Sequence, residues 1–463
     1  MTQPQRLPLA IVPENRGPTT AKDSKLVNCY IETDKEKNLW LFKRPGFTEY
    51  SSVSAGVGLG CFNWNGDVYT IVDSTIYKNS LALEFALLST GSLYSFSSIL
   101  GATPKMIYGD GLHGYASDGT ARGKPLGTHP NFLTPFVPGI VYLNGASYFM
   151  TPESFIFGSA PNDVTVWDPL DVVKAQIEPD NGVALDKQIV YVIAFNEWST
   201  EVFFDAGNAI GSPLGNVQGS KVGYGCASGY SVQRIEDKLL WLSATRSGTV
   251  QIAMLQFLLC RIVSTAPIDR LLEKVNVGTG NPPLVYSWQL KLNNHSFYVL
   301  TLKSLNLTLV YDLNEDSWCQ WTDENGNYLP FTSSTYGPNG VNLVQHESNG
   351  KVYSISDTYT NDDGAPITVD IITPNWDAGF RKRKTLQTLD VITDQQPGCD
   401  LMIRSSDDDY QTWTDFRTVS LAKPRAFLQN CGTFVKRAYH LRHKADTAFR
   451  VQALEATFDV GIL

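Results

Sequence analysis

Paired cysteines, a bilayer-length apolar run, a positive charge excess and long helical patterns are all missing from these 463 residues. Each absence excludes something. The seven cysteines, Cys29, Cys61, Cys226, Cys260, Cys319, Cys399 and Cys431, are odd in number and widely spread, without a CxxC pair or a histidine at metal spacing. That argues against a disulfide framework and a zinc site, and fits buried free thiols in a chain that folds in a reducing compartment. The most apolar window, residues 252–263, is broken by Gln256 and Arg261 and falls short of the roughly 20 residues that cross a bilayer. Residues 7–12 form only a brief apolar run, interrupted by Pro8 and followed by no small-residue cleavage site. The expectation is a soluble product without membrane insertion or a classical export signal. With Lys+Arg 37 against Asp+Glu 46, the formal net charge is -9. General phosphate neutralisation needs the opposite sign.

Aromatic residues are abundant instead, at 11%, with 21 Tyr, 22 Phe and 10 Trp, a balance that favours strands. Hydrophobic residues at 43% against 18% charged exclude a disordered chain. Short aromatic and β-branched runs alternate with Asn-Gly, Asp-Gly and Ser-Gly turns. Residues 61–78 read as three strands joined by tight turns at Asn65-Gly66 and Asp73-Ser74. The same grammar returns at 106–115 around Asp110-Gly111, at 140–157 around Asn144-Gly145, at 189–205, 231–255 and 284–321, and at 341–355 around Asn349-Gly350. Meanders repeating every 40 to 50 or so residues predict a β-propeller of six or seven blades, each sheet burying its faces against its neighbours. A stacked β-sandwich is the competing arrangement. One short helix is expected after Thr265, with Pro267 in its first turn and Ile268, Leu271, Leu272 and Val275 on one face.

A second segment begins near Pro374. Alternation at residues 385–403, 434–441 and 449–458 predicts a small antiparallel β-sandwich. We place the boundary at about residue 370, giving a front domain 1–369 and a C-terminal domain 370–463. Charge divides there as well: residues 370–463 hold 13 Lys+Arg and 12 Asp+Glu, and the front part 24 and 34.

Motifs that carry chemistry are few. Ser406-x-Asp408-x-Tyr410-x-Thr412-Trp413 is similar to the Asp-box turn of sialidase-like propellers, with Tyr410 where that turn has glycine. Asp407-Asp408-Asp409 and residues 323–327 offer oxygen ligands without the spacing of a calcium loop. His440 and His443 lie three apart on an alternating segment, so they face opposite ways. No phosphate-cradling glycine loop, Gly-x-Ser-x-Gly elbow or His-Glu-x-x-His pattern is present. No catalytic residue, metal or cofactor is therefore expected. The basic run Arg381-Lys382-Arg383-Lys384 is the sharpest charge feature. It reads as a partner interface toward an acidic surface or phosphate, or equally as charge that guards an edge strand against stray pairing.

Four stretches together resemble the packaged DNA stabilization proteins, or tail accessory factors, of short-tailed bacteriophages. They are residues 26–32 followed by Arg44-Pro45-Gly46-Phe47; Trp167-Asp168-Pro169-Leu170-Asp171 with Glu178-Pro179-Asp180; residues 195–205, from Phe195-Asn196-Glu197-Trp198 through Asp205; and Gly225-Cys226-Ala227 running through Trp241-Leu242 to residues 261–265. Residues 310–312 before Trp318 match in pattern. The resemblance implies a β-propeller protomer, six copies around a channel, and a virion tail protein assembled in the host cytoplasm. Its implied partners are the portal-adaptor complex above, the tail needle, and a tailspike or tail fibre, with DNA only passing through. On this reading the chain is a structural tail hub or nozzle that closes the DNA channel after packaging and permits ejection. An acidic front part suits a wall that phosphate must not stick to. The competing readings are a glycan-binding or glycan-hydrolysing propeller, and a peripheral tail adhesin.

Overall fold

The computed structural model describes residues 4–9, 24–84, 87–101, 103–121, 123–129, 131–208, 210–220, 222–278, 280 and 283–461, and every count below refers to these. Part of the apolar run at residues 7–12 lies outside them. The chain is all-β: strands dominate its regular structure, beside one α-helix, Ala266–Leu272. That helix starts after Thr265 with proline in its first turn and buries Ile268 and Leu272. It ends before Val275, which still packs against the same apolar cluster.

From residue 58 onward the chain lays down antiparallel sheets one after another, each from consecutive strands. Four-stranded meanders occupy residues 58–84, 95–125, 141–174 and 182–216, and a five-stranded one occupies 225–262. Residues 285–321 form the sixth. The seventh combines Phe331–Tyr336, Asn342–His346 and Lys351–Ser356 with the early strand Gly46–Ser52, which pairs antiparallel along Lys351–Ser356. The hairpins follow local turn chemistry: Asn65 and Asn144 sit at positive φ with glycine next, as two-residue hairpin loops require. Most sheets have their own buried seam, such as Ile71, Tyr69 and Tyr108 between the first two and Trp241 with Phe195 between the fourth and fifth.

Strands from both ends of the chain meet behind the sixth and seventh sheets, across the boundary expected near residue 370. Gln5–Pro8 pairs with Ala453–Val460, which pairs with Lys384–Ile392. Lys25–Val27 joins the last strand of the sixth sheet, in parallel through Val27 and Gln320, to Val369–Ile372. From there the sheet continues through Ala438–His443 to Asp400–Ser406 and Arg417–Ser420. Cys29–Thr33 and Leu39–Lys43 form a hairpin closed by Arg450–Val451. Leu389, Val391 and Leu454 from one sheet and Leu401, Ile403 and Leu441 from the other share a core. Trp288, Phe331 and Tyr353 of the sixth and seventh sheets belong to the same cluster. A continuous core opposes relative sliding, because separating the two parts exposes several side chains worth about 1.5–3 kcal/mol each.

Candidate functional site

The innermost strands of the seven sheets, Gln233–Ile235 in the fifth, converge on one cavity of about 460 Å³. Its wall takes Cys61, Ser97, Val141, Asp186, Arg234, Gln289 and Ser333, one residue from each sheet in order. An innermost strand has no partner on its inner side, so its amides must be satisfied by the neighbouring sheet or by water. Here the neighbours supply much of it. Tyr94 N–H donates to Leu59 O at 2.7 Å, Gly139 N–H to Ser95 Oγ at 2.8 Å and Leu185 N–H to Pro138 O at 2.9 Å. Ser287 Oγ donates to Ser231 O at 3.0 Å, and Gln289 N–H to Ser334 Oγ at 3.1 Å. The seventh sheet returns to the first: Cys61 N–H donates to Ser333 Oγ and Asn63 N–H to Thr335 Oγ1, both at 3.0 Å. Buried Gln345 completes that junction, accepting from Gly60 N–H at 2.7 Å and donating to Ile71 O at 2.8 Å.

Charge enters the cavity through Asp186, Lys187 and Arg234. Burial pushes the Asp186 carboxyl above its ordinary range despite the Arg234 guanidinium 3.5 Å away. Burial and the same guanidinium lower Lys187, whose Nζ donates to Tyr142 O at 2.8 Å. An acid, two bases and a ring of hydroxyls can hold water or a small polar solute. No arrangement of nucleophile, base and oxyanion donors stands out among them.

The sequence stretches singled out above become joints. Asn28, at positive φ, accepts from Arg44 Nε at 2.9 Å and donates to Thr322 Oγ1 at 2.9 Å and Thr368 O at 2.8 Å. Arg44 is 2% exposed, forks onto the Asp362 carboxylate and donates to Thr322 O at 2.9 Å. Gly46 follows because a Cβ there would lie 2.1 Å from Asn361 O. This buried ion pair fixes the place where the chain crosses from the rear layer into the seventh sheet. A second joint forms at the fourth sheet. The Asp180 carboxylate accepts from Trp198 N–H at 2.9 Å and from Ser199 Oγ at 3.0 Å. Glu201 accepts from Ile177 N–H at 2.7 Å and Asn216 Nδ2 at 2.9 Å. Thr200 exchanges backbone hydrogen bonds with Val222. Gly225 is packed so tightly that a Cβ would sit 2.4 Å from backbone atoms of Glu197 and Trp198. Its carbonyl accepts from Trp241 Nε1 at 2.8 Å. Trp167 lies buried against Phe132 and Phe149.

The basic run divides. Arg381, Lys382 and Arg383 are exposed, whereas Lys384 is fully buried. Its Nζ donates to Phe380 O, Lys382 O and Val435 O at 2.7–2.9 Å and lies 4.6 Å from the Phe380 ring centre. Alternation on the strand Lys384–Ile392 turns Lys384 inward, so its charge clamps the loop and cannot reach a partner.

In the Asp-box-like turn, Asp408 accepts from Thr412 N–H at 2.9 Å, from Thr412 Oγ1 and from Ser406 Oγ at 2.9 Å. Those bonds, Thr412 foremost, hold its carboxyl down to about 2. Tyr410 adopts the left-handed φ of 67° in glycine's place. Its buried hydroxyl compensates by donating to Thr373 O at 2.9 Å. His440 faces Asp370, with Nε2 2.7 Å from Oδ1. His443 turns the other way to stack on Phe449. No group of three or more His, Cys, Asp or Glu side chains gathers at metal distance among the described residues, and none of their helices is long and apolar enough to cross a membrane. All seven cysteines are free, with Cys61 and Cys226 pushed up to about 12 by burial.

Comparison with known proteins decides the family. Residues 22–355 match the family model described as "Bacteriophage P22 Gp10, beta-propeller". The chain belongs to that family. Membership agrees with the resemblance to packaged DNA stabilization proteins, and makes this a structural protein of a bacteriophage tail. No curated protein matches. Among solved structures, the computationally designed Ika8 protein aligns with TM-score 0.38 at 10% identity, covering 66% of this chain and 99% of its own. BBS1N in complex with ARL6DN, soaked with mercury, aligns at 0.39 and 13%, covering 67% and 96%. The extracellular domain of the putative hybrid two component system BT4673 from B. thetaiotaomicron aligns at 0.42 and 10%, covering 87% and 58%. Likenesses this slight carry no argument about fold or function.

Proposed function

We propose that this member of the family is a tail hub or nozzle. Its seven sheets are the blades of one propeller, closed by the strand Gly46–Ser52 as the outer strand of the seventh blade. Residues 5–9, 24–43 and 369–460 form a second unit fused to blades six and seven. On this reading, copies assemble as a ring of six between the portal-adaptor complex and the tail needle, with tailspikes or fibres outside. The ring shuts the DNA channel after packaging and passes DNA at ejection.

One observation supports this above others. The stretches that carry the resemblance to the family, at Asn28, Arg44 to Gly46, Asp180, residues 196–201 and Gly225, serve as fasteners between sheets. A protein whose distinguishing residues lock its joints works by holding a shape under load. An enzyme would spend such residues on groups that meet a substrate. The exposed cations Arg381, Lys382 and Arg383 belong to this reading as a contact for an acidic neighbour. Particles assembled without the chain test it. They should package DNA at normal yield and then lose it within hours, and supplying the chain should restore retention. Full retention in its absence contradicts the role.

A further inference from the structure

The turn that resembles an Asp-box ends in Trp413, and Trp413 stands over an arginine. The Arg404 guanidinium lies 5.0 Å from the Trp413 ring centre and 4.5 Å from that of Phe416. Both rings also meet His440 edge-on, at 5.6 and 5.3 Å. Arg404 and His440 are cross-strand partners, and Arg404 Nε donates to His440 Nδ1 at 3.0 Å. That bond fixes the tautomer, since Nδ1 accepts while Nε2 donates to Asp370. The same carboxylate takes Arg442 through Nε at 2.6 Å and an Nη at 3.0 Å.

Arg442 alone of the two guanidiniums bonds the Asp370 carboxylate, and Arg404 reaches it only through His440. Among the described residues, the two Nη groups of Arg404 have no hydrogen-bond partner. Stacked by aromatic rings and tied at Nε, the guanidinium is held in one plane with its outer edge unused. Burial and the Arg442 charge make its positive form costlier, which an incoming anion would relieve.

We infer that Arg404, walled by Trp413 and Phe416, is a socket for a carboxylate of an acidic protein segment. A planar carboxylate matches the free edge of a planar guanidinium with two parallel hydrogen bonds, and a pre-oriented arginine loses little freedom on binding. Nucleic acid fits less well. Backbone binding needs several cations tracking successive phosphates, whereas this is a single edge on a chain of net charge -9. The Asp-box-like turn thereby gains a purpose, since Asp408 organises the hairpin that delivers Trp413 onto Arg404. The socket stands whether or not the hub reading does.

The test uses the full chain and a fluorescein-labelled hexaglutamate peptide, read by fluorescence anisotropy at low ionic strength, with a labelled six-nucleotide oligothymidylate as the second arm. The wild type should bind the peptide saturably. Arg404→Ala should weaken it at least tenfold. Arg404→Lys, which keeps charge and stem but loses the planar fork, should weaken it nearly as much and guards against a folding artefact. The oligonucleotide should bind no tighter than the peptide and respond little to either change. No saturable peptide binding by the wild type, or equal binding by both variants and the wild type, overturns the socket. An oligonucleotide that binds more tightly and loses the same factor on substitution overturns the choice of carboxylate.

Discussion

The sheets of residues 46–356 and the layer built from the two chain ends are both antiparallel β-structure, yet they are held together differently. In the front part every sheet but the seventh, which borrows Gly46–Ser52, is built from consecutive strands, and neighbouring sheets are joined by serine and threonine hydroxyls that cap amides. In the rear layer the pairings that bring the two chain ends together join residues more than 400 apart, such as Leu7 with Leu454 and Leu41 with Val451. There the fasteners are cations: Lys384 on three carbonyls, Arg437 forked onto Asp407, Arg442 onto Asp370 and, where the layer meets the seventh sheet, Arg44 onto Asp362. Local order needs only turn chemistry and short hydroxyl ties. Distant pairing must overcome more loop-closure entropy, and the rear layer offsets it with charge-assisted bonds, each stronger than a neutral one.

This contrast predicts that removing a rear cation hurts more than removing a front hydroxyl. The largest effect belongs to Arg44→Met. It strands the buried Asp362 carboxylate and should cost about 3–5 kcal/mol, measured by urea denaturation, with Asp362→Asn nearly as damaging. Lys384→Met leaves three inward carbonyls without their donor, at a cost of about 1–3 kcal/mol, and should make the loop at residues 379–383 a new protease site. Ser333→Ala, which strips one tie between the seventh and first sheets, should cost about 1 kcal/mol. Equal losses at Arg44 and Ser333 would erase the distinction.

Titration sharpens it further. Burial lowers Lys43 from 10.5 to about 8, although its Nζ donates to Ala445 O at 3.0 Å. The folded chain therefore sheds this proton before the unfolded chain does, and stability gains from Lys43 as pH rises from about 8 toward 10.5. In Lys43→Met that gain should vanish from the difference between the two denaturation series. At the other end, Asp408 sits at about 2 instead of 3.8. Its contribution is present above 3.8 and lost as pH falls toward 2, so Asp408→Asn should differ from the wild type at about pH 5 and converge on it near pH 2. This is the smallest of the effects, because the group is only half-buried.

The front part was legible for the reason it is simple. Asn65-Gly66 and Asn144-Gly145 announce their turns, and the strands on either side alternate with period two. The short helix after Thr265 was equally plain. The use of Gly46–Ser52 in the seventh sheet was not, since nothing local distinguishes a strand that pairs with its neighbour from one that pairs about 300 residues away. Nor did sequence show that Lys384 faces inward while Arg381 to Arg383 face out, because a run of four cations looks uniform until the strand's register is known. Tyr410 taught a related lesson. Its positive φ is tolerated because a buried hydroxyl bond replaces glycine's freedom, and that depends on Thr373, 37 residues earlier.

Electron density for tails of intact virions tests the central claim most directly. The account predicts this chain at the neck, encircling the DNA path, with the seven-sheet part and the rear layer both locked against neighbouring tail proteins and the socket at Arg404 filled by an acidic side chain. Density that places it at the tail periphery, clear of the axis, would contradict the account.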